Sequence, residues 1–265
     1  MAVDRRAFLR ISSLATVGVG GGQWLLAAPG RIAPEALSPR GKSLKAERWG
    51  LVIDIRKCLD PDLRNRCVKA CHKAHNVPDF RNKDGTPDRK NEIKWIWEEP
   101  YDRVFPSQYH EFLAAELSHV SVLTLCNHCG NPPCVRVCPT KATFRCDDGI
   151  VAMDSHRCIG CRFCIAACPY GSRSFNWKDP RPRIKEINPD YPTRTKGVVE
   201  KCNFCSERLA EGKLPACVEA AGDSGALIFG DLHDKNSKVR QLLNSRYTIR
   251  RKPELGTEPA VFYVV

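Results

Sequence analysis

Fifteen cysteines in 265 residues are the side chains best able to do chemistry here, and their spacing says which chemistry. The run Cys158-Ile-Gly-Cys161-Arg-Phe-Cys164-Ile-Ala-Ala-Cys168-Pro169 is C-x2-C-x2-C-x3-C-P, the ligand spacing of a [4Fe–4S] cluster. Three thiolates on one tight loop bind three irons of a cube. The fourth sits on the helical turn that follows and points away, so it completes a second cluster. A partner group must therefore exist elsewhere. A structural zinc would instead pair two separated C-x2-C units.

Four cysteine groups follow one another along the chain. The first is Cys58, Cys67 and Cys71. The second is Cys126-x2-Cys129-x4-Cys134-x3-Cys138-Pro139. The third is the run above, and the fourth is Cys202-x2-Cys205-x11-Cys217, with Ala221-Gly222 where a last Cys-Pro is expected. Exchanging the last cysteine between groups two and three gives two complete sites. Cluster A takes Cys126, Cys129, Cys134 and Cys168; cluster B takes Cys158, Cys161, Cys164 and Cys138. Exchange between groups one and four gives cluster C, with Cys202, Cys205, Cys217 and Cys71. The remaining site has only Cys58 and Cys67, with Ala221 in place of a ligand. Both missing ligands fall in one cluster, as expected if that cluster was lost as a unit. The expectation is three [4Fe–4S] clusters. A rival keeps a fourth, with oxygen or nitrogen ligands drawn from Asp60, Asp62, His72 or Asp223. Cys58 and Cys67 are left either as a disulfide or as free thiols, and Cys146 reads as a small core residue.

The elements that must hold these groups are short. Strand candidates are 49–55, which is β-branched, and 120–125, 150–153, 173–175, 198–199, 226–229 and 261–265, most of them directly before or after a cysteine group. Strands flanking cluster loops and their helical turns predict an α+β fold: two interleaved ferredoxin-like units with an inserted segment. The expected organisation is an outer unit, 48–75 plus 190–265, an inner unit, 119–189, and an insertion, 76–118. The insertion is expected to pack its aromatic residues Trp95, Trp97, Tyr101, Phe105 and Tyr109 into a small core of its own. Residues 31–47 read as a linker. Residues 1–30 read as a twin-arginine signal: Asp4-Arg5-Arg6-Ala7-Phe8-Leu9-Arg10 precedes a mild apolar stretch, too polar for a comfortable membrane span. That implies a periplasmic protein exported already folded around its cofactors.

Formal net charge is +12. A cysteine-bound cluster carries about −2, so three of them bring the total to roughly +6. The basic excess thus balances buried negative charge, and no motif points to nucleic acid. Arg136, Lys141, Arg157, Arg162 and Arg173 crowd the two central sites. The odd cysteine count argues against a disulfide scaffold. Cys71-His72 ends C-x3-C-H rather than the C-x-x-C-H of haem attachment.

From about Trp49 to the C-terminus the chain resembles the four-cluster ferredoxin subunits of membrane-bound oxidoreductases. This is the family of dimethyl sulfoxide, nitrate and polysulfide reductase electron-transfer subunits. The likeness rests on the cysteine groups, on Cys168-Pro-Tyr-Gly171, on Ala226-Leu-Ile-Phe-Gly-Asp231 and on Leu255-Gly-Thr-Glu-Pro-Ala-Val-Phe-Tyr263. It implies an electron carrier with no substrate chemistry of its own, working in a heteromeric complex with an integral membrane quinone-binding subunit. In that family the outermost cluster faces a molybdenum subunit. Its loss here implies that no such partner docks, with a c-type cytochrome as the substitute. The twin-arginine segment together with the degraded first site looks most like the exported iron–sulfur subunits of dissimilatory sulfur metabolism. The alternative is an exported nitrite-, tetrathionate- or polysulfide-reductase-like system.

Overall fold

The run Trp49-Gly-Leu-Val-Ile-Asp54 is apolar on both faces of a strand, and it becomes the centre of the largest sheet. The computed structural model describes residues 42–108, 110, 112 and 120–265. The twin-arginine segment, most of the linker, Tyr109 and the end of the insertion lie outside the described residues.

Ten strands are described, numbered in chain order: β1 (Trp49–Asp54), β2 (Ile96–Pro100), β3 (Ser121–Leu125), β4 (Thr143–Arg145), β5 (Val151–Met153), β6 (Ser174–Phe175), β7 (Val199–Glu200), β8 (Leu227–Asp231), β9 (Thr248–Ile249) and β10 (Val261–Val264). Strand β1 pairs in parallel with β10, Leu51 opposite Val261, and antiparallel with β8, Leu51 opposite Phe229. Alternation divides its side chains. Leu51 and Ile53 face the main core with Tyr263. Val52 faces a second cluster with Leu232 and Val239. The helix Lys238–Ser245, capped by Ser237 Oγ accepting from Arg240 N at 3.1 Å, supplies Val239.

Helix Pro61–Ala74 starts where Asp60 accepts from Asp62 N at 2.9 Å and Pro61 fills the first turn. Its buried face carries Leu63, Arg64, Cys67 and Cys71, a helical spacing. That face packs on the short helix Ala216–Ala221. The turns Pro133–Arg136 and Phe163–Ala166 pack together in the same way around groups two and three.

The insertion does not build a core of its own. Strand β2 pairs antiparallel with β3, Ile96 opposite Leu125. Trp95, Tyr101 and Phe105 join the main core, where Phe105 meets Tyr263 edge-on with ring centroids 5.0 Å apart. Glu200 explains why this region docks. Its carboxylate is buried and accepts from Trp95 Nε1 (2.9 Å), Asn176 Nδ2 (2.6 Å) and Arg194 Nη2 (2.5 Å). A buried carboxylate requires such partners. Strand β7 pairs with β6, and Val199 packs beside Cys134 and Cys164. Residues 199–200 thus pack with the inner group although they follow residue 190. Residues 42–47, read as linker, are held down: Leu44 N donates to Leu209 O, and Glu47 N to Asp231 Oδ2. No helix among the described residues is long and apolar enough to cross a membrane.

Candidate cluster-binding site

In the first C-x2-C of each of groups two, three and four, the residue just before the second cysteine lies in the left-handed region, joined by Cys205 itself in group four. The three preceding residues are His128 (φ 42°), Gly160 (φ 69°) and Phe204 (φ 55°). Non-glycine residues rarely adopt this conformation, and it turns successive backbone N–H groups toward one concave point. Gly160 has a second constraint, because a Cβ there would lie 2.5 Å from Gly197 O.

Three small cavities result. Cys126, Cys129, Cys134 and Cys168 line one. Cys71, Cys202, Cys205 and Cys217 line a second. Cys138, Cys158, Cys161 and Cys164 line a third. The structure therefore gathers the twelve cysteines assigned to A, B and C into three cages of four. Cys58 and Cys67 line none of them; both are buried in the main core with Val218 and Ala221. Asp60, Asp62 and Asp223 are exposed, and Asp60 is engaged as a helix cap.

Cages A and B are neighbours. Cys134 of A and Cys164 of B share one apolar cluster, and the turns carrying them pack together. Cages A and C meet through their loops, where the His128 ring stacks on Phe204. The order is B–A–C, with Cys67 one helical turn from Cys71 of C and in the same core as Cys217. Exposure is graded along the row. All four cysteines of C are buried, whereas only Cys164 is buried in B. Ile159 and Phe163, on the rim of B, are 67% and 60% exposed.

The donor sets fit iron–sulfur clusters. Backbone N–H groups already point at sulfur: Phe204 to Cys202 Sγ at 3.4 Å, Ala216 to Cys205 Sγ at 3.4 Å, and Thr143 to Cys138 Sγ at 3.5 Å. Around A, several buried polar atoms have no partner among the described residues: Asn127 Nδ2, His128 Nε2 and Arg173 Nη2. His128 Nδ1 accepts from Val151 N at 3.1 Å, and burial, then Lys201 and Arg173, hold the ring neutral. Its proton therefore resides on Nε2, an orphaned donor beside a sulfur cage. Such donors need acceptors, and cluster sulfides are acceptors. Burial, followed by neighbouring thiols, pushes Cys129 up to about 12 and Cys71 well above its ordinary value. Binding of iron must displace these protons.

Of the five cations expected near the central sites, only Arg173 is buried; Arg136, Lys141, Arg157 and Arg162 are exposed. Four further participants stand outside the sequence expectation: Lys201, Phe204, Asn127 and Glu207. Lys201 precedes a ligand cysteine, and Phe204 and Asn127 lie inside C-x2-C loops, so position within the loop was the available signal. Glu207 accepts from His75 Nε2 at 2.8 Å, and His75 Nδ1 lies 2.9 Å from Cys71 O. His75, Cys205 and Glu207 offer ligand atoms within 4.8 Å of one another, but the His75–Glu207 pair is already mutually satisfied.

Three groups of four cysteines, each with one member from another stretch of the chain, suit an iron–sulfur electron carrier; such clusters, when bound, supply one-electron transfer. Residues 119–183 match the 4Fe-4S dicluster domain. The chain is 37% identical to the Hdr-like menaquinol oxidoreductase iron-sulfur subunit 1 of Archaeoglobus fulgidus, over 98% of this chain and 97% of that one. It is 33% identical to a tetrathionate reductase subunit of Salmonella typhimurium (100% and 89%), and 35% identical to the NrfC protein of Escherichia coli (100% and 96%). The chain belongs to the family of [4Fe–4S] iron–sulfur subunits of oxidoreductase complexes. It is an electron-transfer subunit rather than a catalytic one by itself.

Proposed function

We propose that this chain is the exported electron-transfer subunit of a membrane complex of dissimilatory sulfur metabolism, of the Dsr type. It carries electrons through three [4Fe–4S] clusters between an integral membrane quinone-binding subunit and a periplasmic redox partner. The observation that carries this reading is the row B–A–C, open at B and closed beyond C, where Cys58 and Cys67 lie in apolar packing. The exposed apolar rim of Ile159 and Phe163 supports docking of the membrane subunit at the B end. The name of the Archaeoglobus relative points to a menaquinol on that side. The closed far end supports a c-type cytochrome there in place of a molybdopterin subunit, and Arg5-Arg6 supports export.

The test is purification of the complex from periplasm-facing membranes, with iron counted per chain and partners identified. About 12 irons, four per cluster, with a membrane quinone subunit and a cytochrome, is the expected result. A molybdopterin subunit would overturn the partner assignment. The full-length match to the Salmonella protein favours a second reading, a nitrite-, tetrathionate- or polysulfide-reductase-like system whose fourth cluster is completed by a non-cysteine ligand. That reading requires about 16 irons per chain.

A further inference from the structure

Two basic side chains are buried between the cysteine cages, and each touches the walls of two. Arg173, 5% exposed, lines cage A. Its Nη1 donates to Thr143 Oγ1 at 3.1 Å and lies 3.8 Å from Met153 Sδ; Thr143 and Met153 both line cage B. Lys201, 3% exposed, donates through Nζ to the carbonyl of Val151, which lines cage A. It also donates to the carbonyl of Cys202, which lines cage C, at 2.5 Å. Neither has a carboxylate partner among the described residues, so each charge is balanced only by the sulfur cages beside it. Buried charges without a counter-ion are costly, and both are explained once the cages hold anionic clusters.

We propose that Arg173 and Lys201 set the potentials of the row pairwise, Arg173 acting on centres A and B and Lys201 on centres A and C. Reduction adds one negative charge to a centre, and a cation held in the low-dielectric gap stabilises that state without screening by salt. Centre A faces both cations and answers to both. The four exposed cations around the central cages are screened by solvent and contribute little. This proposal rests on the three-cluster reading above.

The experiment is an EPR-monitored redox titration of the full chain in its isolated complex, with signals assigned by Cys161→Ser for B and Cys217→Ser for C. With Arg173→Met, the reduced-to-oxidised ratio at fixed ambient potential falls about tenfold for A and B, equivalent to about 59 mV for a one-electron couple, and C is unmoved. With Lys201→Met, A and C fall and B is unmoved. Arg173→Lys and Lys201→Arg return the centres toward wild type. Should Arg173→Met lose clusters, Arg173→Gln carries the test, since it keeps an N–H donor without the charge. An unmoved centre A, or equal shifts of all three centres in either variant, overturns the proposal. Iron content is read in the same samples. About 16 irons per chain would defeat the cluster count while leaving the pairwise pattern to be judged on its own.

Discussion

The imidazole of His128 lies face to face on the ring of Phe204, with centroids 3.7 Å apart and planes 16° from parallel. Each is a left-handed residue of a different C-x2-C loop. The contact therefore joins the loop of cage A to the loop of cage C. Phe204 also meets Phe229 edge-on at 5.3 Å, which ties the junction to β8.

Phe204→Ala removes this junction from a site that is 2% exposed. A buried Phe→Ala truncation costs about 3–5 kcal/mol, and the loss here is expected within that range. Thermal unfolding of the loaded protein measures it. A loss below about 1 kcal/mol would mean that the junction is not structural.

Glu200 is the second structural centre. Glu200→Ala leaves Arg194 buried without its ion pair and strands Trp95 Nε1 and Asn176 Nδ2. Removing one partner of a buried pair costs about 3–5 kcal/mol. Denaturant unfolding is expected to show this loss, while Glu186→Ala, whose pair with Lys73 is exposed, changes stability by less than about 0.5 kcal/mol.

The outer thiols should behave unlike cluster ligands. Burial pushes Cys58 up to about 12, helped by Cys67, and burial pushes Cys67 up to about 11. Both remain protonated at pH 8 and are expected to resist alkylation until the protein unfolds. Their neutral forms favour the fold fully below about pH 9, and that contribution declines as pH rises toward 11–12. Cys58→Ala is expected to leave iron content unchanged, whereas Cys161→Ser is expected to lower it and to abolish quinone-linked transfer. Mass spectrometry after alkylation, with iron analysis, checks both.

His72 gives an acid dependence of opposite sign. Burial holds it down at about 4 from an ordinary 6.5. Between those values the unfolded chain binds the extra proton, so stability falls as pH drops from 6.5 toward 4. The loss is on the order of 2–3 kcal/mol, and His72→Gln should flatten that part of the stability–pH curve. An unchanged curve in the variant would assign the acid loss elsewhere.

Gly160→Ala tests the loop geometry. The position combines φ 69° with a Cβ approach of 2.5 Å to Gly197 O. Strain of this kind costs about 1–3 kcal/mol, and cage B should lose iron before A or C. Iron analysis with the EPR signals of each centre reads the outcome.

Much of the site was legible in the sequence because cluster ligation is a matter of local spacing. A C-x2-C loop must turn within three residues, and the C-x3-C cysteine must leave its loop, so the grouping of the cysteines follows from short-range geometry. The seven strand candidates lie on or beside seven observed strands, and most are short runs directly before or after a cysteine group. The three strands not expected are β2, β4 and β9. Strand β2 ends in Glu98-Glu99-Pro100, and its place beside β3 is fixed by pairing with a distant segment rather than by its own composition.

Tertiary structure alone decided which charges count. Along the chain Arg157, Arg162 and Arg173 are equivalent basic residues near cysteines, yet only Arg173 is buried, and burial removes the solvent screening that silences the others. Lys201 and Glu200 are adjacent in sequence, and the alternation of strand β7 and the residue after it directs them into different surroundings. The lysine reaches the walls of cages A and C, and the glutamate reaches Trp95, Asn176 and Arg194. The sequence determined how many cysteines could share a cluster. Only the fold determined the order of the cages and what lies in the gaps between them, because those relations join residues far apart in the chain that packing alone brings together.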